Sequence, residues 1–592
     1  MLFVALTRSG VIELLPARSA RQFAVAPGWF LTCMTDDFLS RLSLSEDEII
    51  VAESLHAGSE NRDQDVDFVT ARFLSSRQTL QICKSTASGR PVYYSLNSRG
   101  EFFVSTHVAW LRQAGVRIEE DPDALPELLA FRTVAPPRTM FRGVRQIWLA
   151  GNLTVSIRSQ DLQVEEPPVG YALPTPGTSS SKDPAGTIAE LLSASVARLT
   201  PSADRVATLL SGGVDSSILS AIARDVLSAC ETYSTAFPFD SPAGNNEQAY
   251  ALTAASALST RHTLFNPTAT DYLTGFIEAL ANAEAPLDHL QSVLLHLLFK
   301  DGVPDRVDQI ICGEAADSCF GTPVHFILRQ PPSFRGKFGS LPPIRAGLRA
   351  LGSKWARARG FSEVLDQLNS LDRPVSDLSN PIWSYAVYGD FDWIKTHYGA
   401  SREDIMAVRS EHLQRAERRP FNDMLSFYAL NFDVTLTTGV WSKLAEGQRK
   451  ILYFPFITPD LLNAAFSIPW EAKLKSEKHV LREVGRRFGV PKHILNRPKQ
   501  AFGIKSNRWA VRDGALEPLI AVAAKVVDIE QLRSLQGQAQ EKAMMLWSLL
   551  NYAVLKRLFV LGESKQSLID EVMDNCGEQS GERNRTRQGV SV

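Results

Sequence analysis

The spacing of apolar residues changes about 165 residues into the chain. Before that point, short β-prone runs such as residues 4–6, 68–73 and 79–83 are separated by turns. After Pro184, apolar strands alternate with amphipathic helices. Such alternation predicts a parallel sheet that binds ligands at the carboxyl ends of its strands. The pattern therefore predicts an α/β protein with one domain at residues 1–165 and a second at residues 184–575.

Two segments lack this periodicity. Residues 166–183 are rich in Pro, Gly and Ser, which predicts a linker between the domains. Asp183 and Pro184 at its end suit the N-cap and first position of a helix. Residues 576–592 are polar, which predicts a disordered tail, whereas the apolar residues 546–559 before them predict a buried helix.

Composition narrows the class of protein. The 592 residues are 44% hydrophobic and 22% charged, as in ordinary globular proteins. A formal net charge of −2 without a basic block argues against a nucleic-acid partner. The six cysteines form no Cys-x-x-Cys pair, which is typical of reduced, unpaired thiols. No signal-peptide core or run of eighteen apolar residues occurs, so we expect a soluble cytoplasmic protein without a membrane partner.

A Ser/Gly loop between a predicted strand at residues 206–210 and a predicted helix at residues 218–229 carries the clearest chemistry. Backbone N–H groups and the positive end of a helix dipole meet at such a loop, and together they favour a phosphate group. Gly212 and Gly213 would let the anion approach the backbone. Asp215 could hold a Mg2+ ion that bridges phosphate oxygens. An ordinary turn after a strand is the alternative.

The loop resembles the S-G-G-x-D-S pyrophosphate loop (PP-loop) of ATP pyrophosphatases, which cleave ATP to AMP and activate a carboxylate or carbonyl as an adenylate. It lacks the Gly-Lys-Ser/Thr of a Walker loop and is not a G-x-G-x-x-G turn. The predicted ATP- and pyrophosphate-binding residues lie in this loop and at the ends of two further strands. They are Leu210, Ser211, Gly212, Gly213, Asp215, Ser216, Thr235, Cys312 and Gly313.

The segment that follows the predicted strand at residues 308–312 resembles the S-G-E-G-x-D-E-x-F-G element of asparagine synthetases. It reads Gly-Glu-Ala-Ala-Asp-Ser-Cys-Phe-Gly from residue 313 to residue 321. The resemblance implies that Asp317 is a second Mg2+ ligand beside Asp215 and that Glu314 faces the reacting centre. Asp317 could also cap the next helix. Alanines at 315 and 316 and Ser318 depart from the family pattern, which indicates a different substrate.

Residues 473–503 resemble the K…L-R-E…I-L-N-R-P-K-Q-G-F-G segment of the same family, and residues 494–503 read Ile-Leu-Asn-Arg-Pro-Lys-Gln-Ala-Phe-Gly. The resemblance implies that Lys499 contacts the phosphates and the charge that develops in the transition state, where a fixed cation lowers the barrier. An ordinary surface lysine is the alternative. Glu314 and Lys499 are therefore the predicted catalytic residues.

Residues 89–95, Gly-Arg-Pro-Val-Tyr-Tyr-Ser, lead through a predicted hairpin turn, in which Gly100 could adopt a positive φ, into residues 101–106, Glu-Phe-Phe-Val-Ser-Thr. With residues 136–144, Pro-Pro-Arg-Thr-Met-Phe-Arg-Gly-Val, they resemble the G-x-x-P-L-Y-Y, F-x-F-A-S-E and P-x-R-T-x-F-x-G-I motifs in the N-terminal glutamine-amidotransferase domain of asparagine synthetases. The resemblance implies an Ntn-type αββα glutaminase-like fold for residues 1–165 and an adenine-nucleotide α-hydrolase-like PP-loop fold for residues 184–575. In that family a Cys at the second position attacks glutamine, with its own α-amine as the base. Leu2 stands there in this chain, and Cys33 and Cys83 are predicted to be core residues. We therefore expect a scaffold domain without glutaminase activity.

The predicted reaction is adenylation of a carboxylate by ATP and Mg2+, followed by attack of an amine to give an amide, AMP and pyrophosphate. Without a glutaminase, the amine comes from free ammonia or from the substrate itself, and a tethered amine gains effective molarity. Two branches of the family that lack the N-terminal Cys close rings, namely β-lactam synthetases and lasso-peptide cyclases. The Glu at 314, the Phe-Gly-Thr-Pro run from residue 320 and the late aromatic helix favour the cyclases.

In the cyclase branch, an Asp or Glu side chain of a precursor peptide is activated and the N-terminal amine of the peptide closes a macrolactam. Glu314 is the candidate for assisting deprotonation of that amine. The resemblance further implies a transglutaminase-like leader peptidase as a partner. A β-lactam-synthetase-like or ammonia-dependent asparagine-synthetase-like ligase and a non-catalytic scaffold are the alternatives. The basic, aromatic residues 330–419 predict a helical subdomain with a solvated face, or else a peptide-holding surface.

Overall fold

The computed structural model describes most of both predicted domains. The described residues are 2–8, 20–35, 40–54, 67–158, 161–166, 182–199, 203–229, 231–239, 242–321, 387–414, 421–476, 478–497 and 506–588. Lys499, most of the predicted linker and residues 322–386 lie outside them.

The first part of the chain, up to residue 166, contains fourteen described strands. In chain order they are β1 (Leu2–Thr7), β2 (Arg21–Ala26), β3 (Trp29–Thr35), β4 (Ser40–Leu44), β5 (Glu48–Ser54), β6 (Phe68–Leu74), β7 (Thr79–Lys84), β8 (Tyr93–Leu96), β9 (Phe102–Ser105), β10 (Glu119–Glu120), β11 (Phe141–Arg142), β12 (Arg145–Gln146), β13 (Asn152–Arg158) and β14 (Asp161–Glu165). They form two six-stranded antiparallel sheets, β12-β8-β9-β1-β3-β2 and β14-β13-β7-β6-β5-β4, and the small pair β10-β11.

Strand β1 is buried on both faces, which explains its uninterrupted apolar sequence. Because side chains alternate along a strand, Leu2, Val4 and Leu6 face the second sheet, whereas Phe3 and Ala5 face the opposite way. That opposite side is covered by the helices α1 (Val108–Gln113) and α2 (Ala124–Phe131) and by the second part of the chain. The predicted four-layer αββα arrangement stays a prediction.

The second part contains the strands β15 (Val206–Leu209), β16 (Glu231–Thr235), β17 (Arg261–Phe265), β18 (Gln309–Ile311) and β19 (Ile451–Tyr453). They form a parallel sheet in the order β17-β16-β15-β18-β19, which confirms the predicted parallel sheet. The chain runs from β15 outward to β17 and then returns to the other side of β15 with β18. The carboxyl ends of β15 and β18 therefore meet at the point where the strand order reverses, which is where open α/β sheets bind ligands.

Helices surround this sheet. In chain order they are α3 (Pro184–Ala197), α4 (Val214–Leu227), α5 (Pro242–Leu258), α6 (Ala269–Ala283), α7 (Gln291–Leu297), α8 (Ala316–Phe320), α9 (Phe391–Tyr398), α10 (Arg402–Gln414), α11 (Phe421–Tyr428), α12 (Thr435–Glu446), α13 (Pro459–Ser467), α14 (Trp470–Lys473), α15 (His479–Arg487), α16 (Lys492–Leu495), α17 (Ser506–Trp509), α18 (Glu517–Ala523), α19 (Ile529–Gly537), α20 (Ala539–Leu555) and α21 (Lys565–Gln588). Short 3-10 or π segments are Ser75–Arg77, Ala203–Arg205, Leu298–Gly302, Ala429–Val434, Pro455–Ile457 and Lys556–Val560.

The ends of three helices test predictions made from sequence. The Asp183 carboxylate accepts a hydrogen bond from the Gly186 N–H, so the predicted N-cap of α3 is confirmed. Helix α4 begins at Val214, four residues before the predicted start. Helix α21 continues to Gln588 through most of the segment predicted to be disordered, so that prediction is wrong there. The first turns of α21 bury Leu568 and Val572, and this packed start lets a polar helix continue.

The predicted buried helix near the C-terminus is confirmed. Among the described residues, Ala539–Val560 is the one helical stretch long and apolar enough to cross a membrane, but 83% of its most apolar window is buried inside the protein. Within α20, the Trp547 indole N–H donates to the Leu287 carbonyl at 2.8 Å, and the Asn551 side chain accepts from the Leu287 N–H at 2.8 Å. These contacts make α20 a core helix.

Buried ionic contacts join the two parts of the chain, and we call this contact region the seam. The Glu284 carboxylate accepts hydrogen bonds from the N–H groups of Val108 and Ala109, which begin α1, and from Lys443 of α12 at 3.0 Å. Arg90 of the first part pairs with Glu446 at 2.9 Å. The seam therefore fixes the first part against α12 of the second part.

The cysteines agree with a reduced protein. None of the five described cysteines forms a disulfide, and Cys230 lies outside the described residues. Cys33 is buried, as predicted, and burial raises the pKa of its thiol to about 12. Cys83 is only half-buried on β7, so the prediction that it is a core residue is wrong. The side chains of β7 alternate between the interior and the outer face of the second sheet, and Cys83 takes an outer position.

Candidate active site

The predicted phosphate loop lies between β15 and α4, at the edge where the strand order reverses. Gly213 is the N-cap of α4 and has extended backbone angles, φ −74° and ψ 166°. Asp215 and Ser216 therefore lie in the first turn of α4, where the backbone N–H groups have no acceptor within the helix. The positive end of α4 points into the loop, which suits an anion.

Gly212 cannot be replaced by a larger residue without a clash. Its φ is +72°, a conformation that favours glycine, and a Cβ atom there would lie 2.4 Å from the backbone carbon and oxygen of Tyr250 in α5. The loop thus passes directly against α5. Gly213 is less constrained, because among the described residues the nearest atom to a Cβ placed there would be the Ser211 Oγ at 3.3 Å.

Two serines close the loop. The Oγ atoms of Ser211 and Ser216 are 3.1 Å apart, and the Ser211 N–H donates to the Ser216 Oγ at 3.3 Å. From outside the loop, the Arg497 guanidinium donates to the Ser211 carbonyl at 3.4 Å and lies 3.6 Å from the centre of the Tyr250 ring. The Arg497 guanidinium therefore places a positive charge beside the loop. Arg497 is the last described residue before Lys499.

The turn after β18 comes against the first turn of α4. A Cβ atom on Gly313 would lie 3.5 Å from the Asp215 Cβ and from the Ser216 N atom. Glu314 follows, half-buried in the same turn. Ala315 has φ +73°, which is strained for a residue with a Cβ atom, at a position where the family element has a glycine. The structure thus places Gly313 beside the loop and Glu314 in the turn that follows β18, and the role of Glu314 that the family resemblance implies stays a prediction.

Asp317 lies in the first turn of α8, and the N-cap of α8 is Ala315, so the alternative of Asp317 as N-cap is wrong. The Asp317 carboxylate instead faces Asp215. Lys478 bridges the two acids, since its ammonium Nζ is 2.6 Å from Asp317 Oδ1 and also forms an ion pair with Asp215 Oδ2. The Lys478 side chain is 5% exposed. The two predicted metal ligands therefore converge on one cation.

This pair of carboxylates fits a divalent ion. Carboxylate oxygens are the ligands that Mg2+ prefers. Asp215 Oδ1 is buried and has no hydrogen-bond partner among the described residues, so one acceptor is left for a cation. Asp215 and Asp317 would hold the ion, and the loop would receive the phosphates next to it.

Sequence reasoning missed Lys478. The residue lies 263 positions after Asp215, within a segment that resembles the family, but the pattern around it gave it no role. Its unusual feature is a backbone in the left-handed region, φ 49° and ψ 38°, immediately before α15. The family-like segment was the one signal that could have drawn attention to it.

Thr235 and Cys312 lie at the carboxyl ends of β16 and β18. Thr235 is half-buried, whereas Cys312 is buried and its N–H donates to the Tyr453 carbonyl at 2.9 Å. Burial is the main cause that raises the pKa of the Cys312 thiol, so this thiol is not a nucleophile. Both residues are at the predicted edge of the sheet, where their backbone could meet a nucleotide.

A second acidic group, Asp288, His289 and Asp433, has ligand atoms that all lie within 4.8 Å of one another. Arg132 Nη1 lies 3.3 Å from His289 Nδ1, and arginine can only donate. A neutral His289 then carries its proton on Nε2, which faces Asp288 at 3.4 Å. This arrangement is a hydrogen-bonded cluster. A metal ion would have to displace the proton on His289 Nε2 and would lie close to the positive guanidinium of Arg132.

The fold and this site agree with the comparison to known families. The asparagine synthase family model matches residues 187–558, more than half of the chain. The chain therefore belongs to the asparagine synthase family and is an asparagine synthetase-like ligase.

Individual relatives are distant. A provisionally named asparagine synthetase (glutamine-hydrolyzing) of Mycobacterium bovis is 24% identical over 481 residues, which are 75% of this chain and 69% of that protein. The protein of the same name in Mycobacterium tuberculosis gives the same values. Asparagine synthetase (glutamine-hydrolyzing) 1 of Bacillus subtilis is 23% identical over 442 residues, which are 71% of this chain and 65% of that protein.

Proposed function

We propose that this protein is an AMP-forming, ATP-dependent carbon–nitrogen ligase that closes a macrolactam in a precursor peptide, as lasso-peptide cyclases do. The observation that carries the ligase chemistry is the convergence of Asp215 and Asp317 on one cation beside a glycine loop. That arrangement suits a metal-bound pyrophosphate leaving group. The proposal includes an Ntn-type first domain, a PP-loop second domain and a cytoplasmic location.

The residues of the loop have distinct roles in the proposed reaction. When bound, Mg2+ supplies charge neutralisation between the phosphates of ATP. The N–H groups at the start of α4 and the cation of Arg497 stabilise the charge that collects on the departing pyrophosphate. Lys499 adds a further cation, as the family resemblance implies. Glu314, in the turn between β18 and α8, accepts a proton from the attacking amine.

The first part of the chain supports an amine source other than glutamine. Leu2 is fully buried, and its N–H donates to the Thr106 Oγ1 at 3.1 Å. The position expected for a nucleophile is thus an apolar strand residue. An amine on the substrate itself fits this arrangement, and it makes the N-terminus of a peptide a suitable nucleophile. A transglutaminase-like protease that frees this N-terminus is the expected partner.

An ATP–pyrophosphate exchange assay tests the proposal. Labelled pyrophosphate should enter ATP only when a precursor peptide with an Asp or Glu at the ring position is present, and AMP should accumulate during ring closure. Exchange that depends on free aspartate would identify the ammonia-dependent alternative, since the relatives are asparagine synthetases. The variant Asp215→Ala should abolish exchange, because it removes a carboxylate that holds the metal. ADP as the product would overturn the proposal.

A further inference from the structure

Lys478 occupies the place where the two acidic side chains of the candidate active site converge. Its ammonium pairs with Asp215 and lies 2.6 Å from Asp317 Oδ1. We infer that Lys478 is an internal counter-cation which holds the two carboxylates together in the nucleotide-free protein. A divalent ion then enters only together with ATP, and the lysine moves from the carboxylates to the phosphates. This inference rests on the proposed function.

The position of Lys478 is fixed by packing. Lys478 immediately precedes α15, and two helical turns later Gly485 of α15 lies against α4. A Cβ atom on Gly485 would lie 3.2 Å from the Ile218 side chain, which is in the turn of α4 that follows Asp215. The left-handed backbone of Lys478 then aims its side chain at the acids. The ammonium therefore meets Asp215 because α15 packs tightly on α4.

Charge explains why the lysine and a bare ion exclude each other. Two carboxylates carry two negative charges, and the nearly buried ammonium already neutralises one of them. A divalent ion placed between the same carboxylates would lie within a few ångströms of the ammonium, where like charges repel strongly in a partly desolvated site. ATP removes the conflict, because its phosphates supply new partners for both cations. Metal and nucleotide affinity are therefore coupled, and the coupling acts in both directions.

Mn2+ binding to the full-length protein, followed by electron paramagnetic resonance, tests the inference without measuring turnover. The non-hydrolysable analogue α,β-methylene-ATP serves as the nucleotide. In the wild type, we expect Mn2+ to bind weakly alone and at least about tenfold more tightly with the analogue, the size expected when one repulsive charge moves away. In Lys478→Met, Mn2+ alone should bind at least about tenfold more tightly than to the wild type. Lys475→Met, which removes an exposed lysine three residues away, is the matched control and should behave as the wild type.

The outcomes of this experiment distinguish a failure of the inference about Lys478 from a failure of the proposed function. If Mn2+ and the analogue bind together to the wild type but Lys478→Met binds Mn2+ alone no better than the wild type does, the inference is wrong and the proposed function stands. If neither protein binds the analogue with Mn2+, the proposed function fails. Lys478→Arg keeps the charge and should restore weak binding of Mn2+ alone. Should Lys478→Met not fold, the wild type still decides, because equal Mn2+ affinity with and without the analogue would overturn the coupling.

Discussion

At the scale of single residues, the loop glycines have unequal roles that their sequence does not separate. The sequence groups Gly212, Gly213 and Gly313 as positions where an anion or a ligand approaches the backbone. Of these three glycines, Gly212 alone combines a positive φ with a close neighbour, the backbone of Tyr250. That neighbour lies in α5 and cannot be inferred from the loop. The conformation of a loop follows from local residue types, but its contacts depend on the rest of the fold.

We expect Gly212→Ala to abolish nucleotide binding. A Cβ atom on residue 212 would lie 2.4 Å from two backbone atoms of Tyr250, and a left-handed conformation costs a non-glycine residue about 1–2 kcal/mol. The loop would have to move away from α5, which would displace the N–H groups that receive the phosphates. Calorimetric titration with α,β-methylene-ATP and Mg2+ checks this.

Gly313→Ala is the control for Gly212→Ala. Its new Cβ atom would meet atoms at 3.5 Å, an ordinary contact distance, so nucleotide affinity should stay within a factor of about three, or roughly 0.6 kcal/mol. Equal losses in the two variants would show that the loop is sensitive to any added methyl group. The close approach of α5 would then not explain the requirement for glycine.

Residues whose role depends on a distant segment escaped prediction. Asp215 and Asp317 could be assigned because each lies in a motif that begins at a strand end. Lys478 meets them only through the packing of α15 on α4, which a single sequence does not express. A parallel sheet brings all its carboxyl ends to one edge, so residues that sequence places at the ends of its strands lie near one another.

At the scale of elements, the hairpin turn after β8 and the N-cap of α3 were predicted correctly, because their signals are local. The turn after β8 has Gly100 at φ +72°, and its N–H donates to the Asn97 carbonyl at 3.0 Å, as its sequence predicts. The predicted start of α4 lies four residues after the true one, because residues 214–217 were interpreted as part of the loop. In the structure these residues follow the N-cap Gly213 and belong to the helix. The end of α21 was also predicted wrongly, because composition describes the average tendency of a segment and not its continuation from a packed helix.

The short helix α14 carries a buried lysine that should make stability depend on pH. Lys473 is fully buried, donates to the Cys319 carbonyl of α8 at 2.9 Å and lies 4.2 Å from the centre of the Trp470 ring. Burial lowers the pKa of Lys473 from 10.5 to about 8. Between pH 8 and pH 10.5 the unfolded chain binds a proton that the folded chain has lost, so this residue makes stability rise with pH in that window.

Relative to Lys473→Met, we therefore expect the wild type to gain about 3 kcal/mol of unfolding free energy from pH 8 to pH 10.5. Urea denaturation of both proteins at a series of pH values measures their unfolding free energies. The difference between the two proteins isolates Lys473, because the other titrating groups contribute equally to both. Lys475→Met should run parallel to the wild type, since Lys475 is exposed. A difference between the wild type and Lys473→Met that does not change with pH would mean that Lys473 stays charged in the folded protein.

At the scale of the whole molecule, the seam holds the first part of the chain directly on the second. A Cβ atom on Gly89 would lie 2.4 Å from the Ser442 Oγ and 3.0 Å from the Thr438 carbonyl oxygen, so the backbone at Gly89 lies directly against α12. Arg90 beside it is 2% exposed and pairs with Asp67 of its own part and with Glu446 of the other. A buried guanidinium between two carboxylates keeps either acid from being left unpaired. Sequence could predict two domains, but the apolar and ionic residues that dock them lie in segments far apart in the chain, so their contacts could not be inferred from it.

The packing of the first part also decides whether glutaminase activity can be restored. We expect the variant Leu2→Cys, with Met1 removed, to release no glutamate from glutamine. The Leu2 side chain lies between the two antiparallel sheets, in the same apolar cluster as Cys33. Burial raises the pKa of the Cys33 thiol to about 12, and a thiol at position 2 in the same cluster would stay protonated and out of reach of a substrate. Glutamate release measures the activity, and the rate of reaction with a thiol reagent measures access. Glutamate release above the wild-type level would show that an open glutamine pocket persists, and the first part would then be a disabled enzyme domain and not a scaffold.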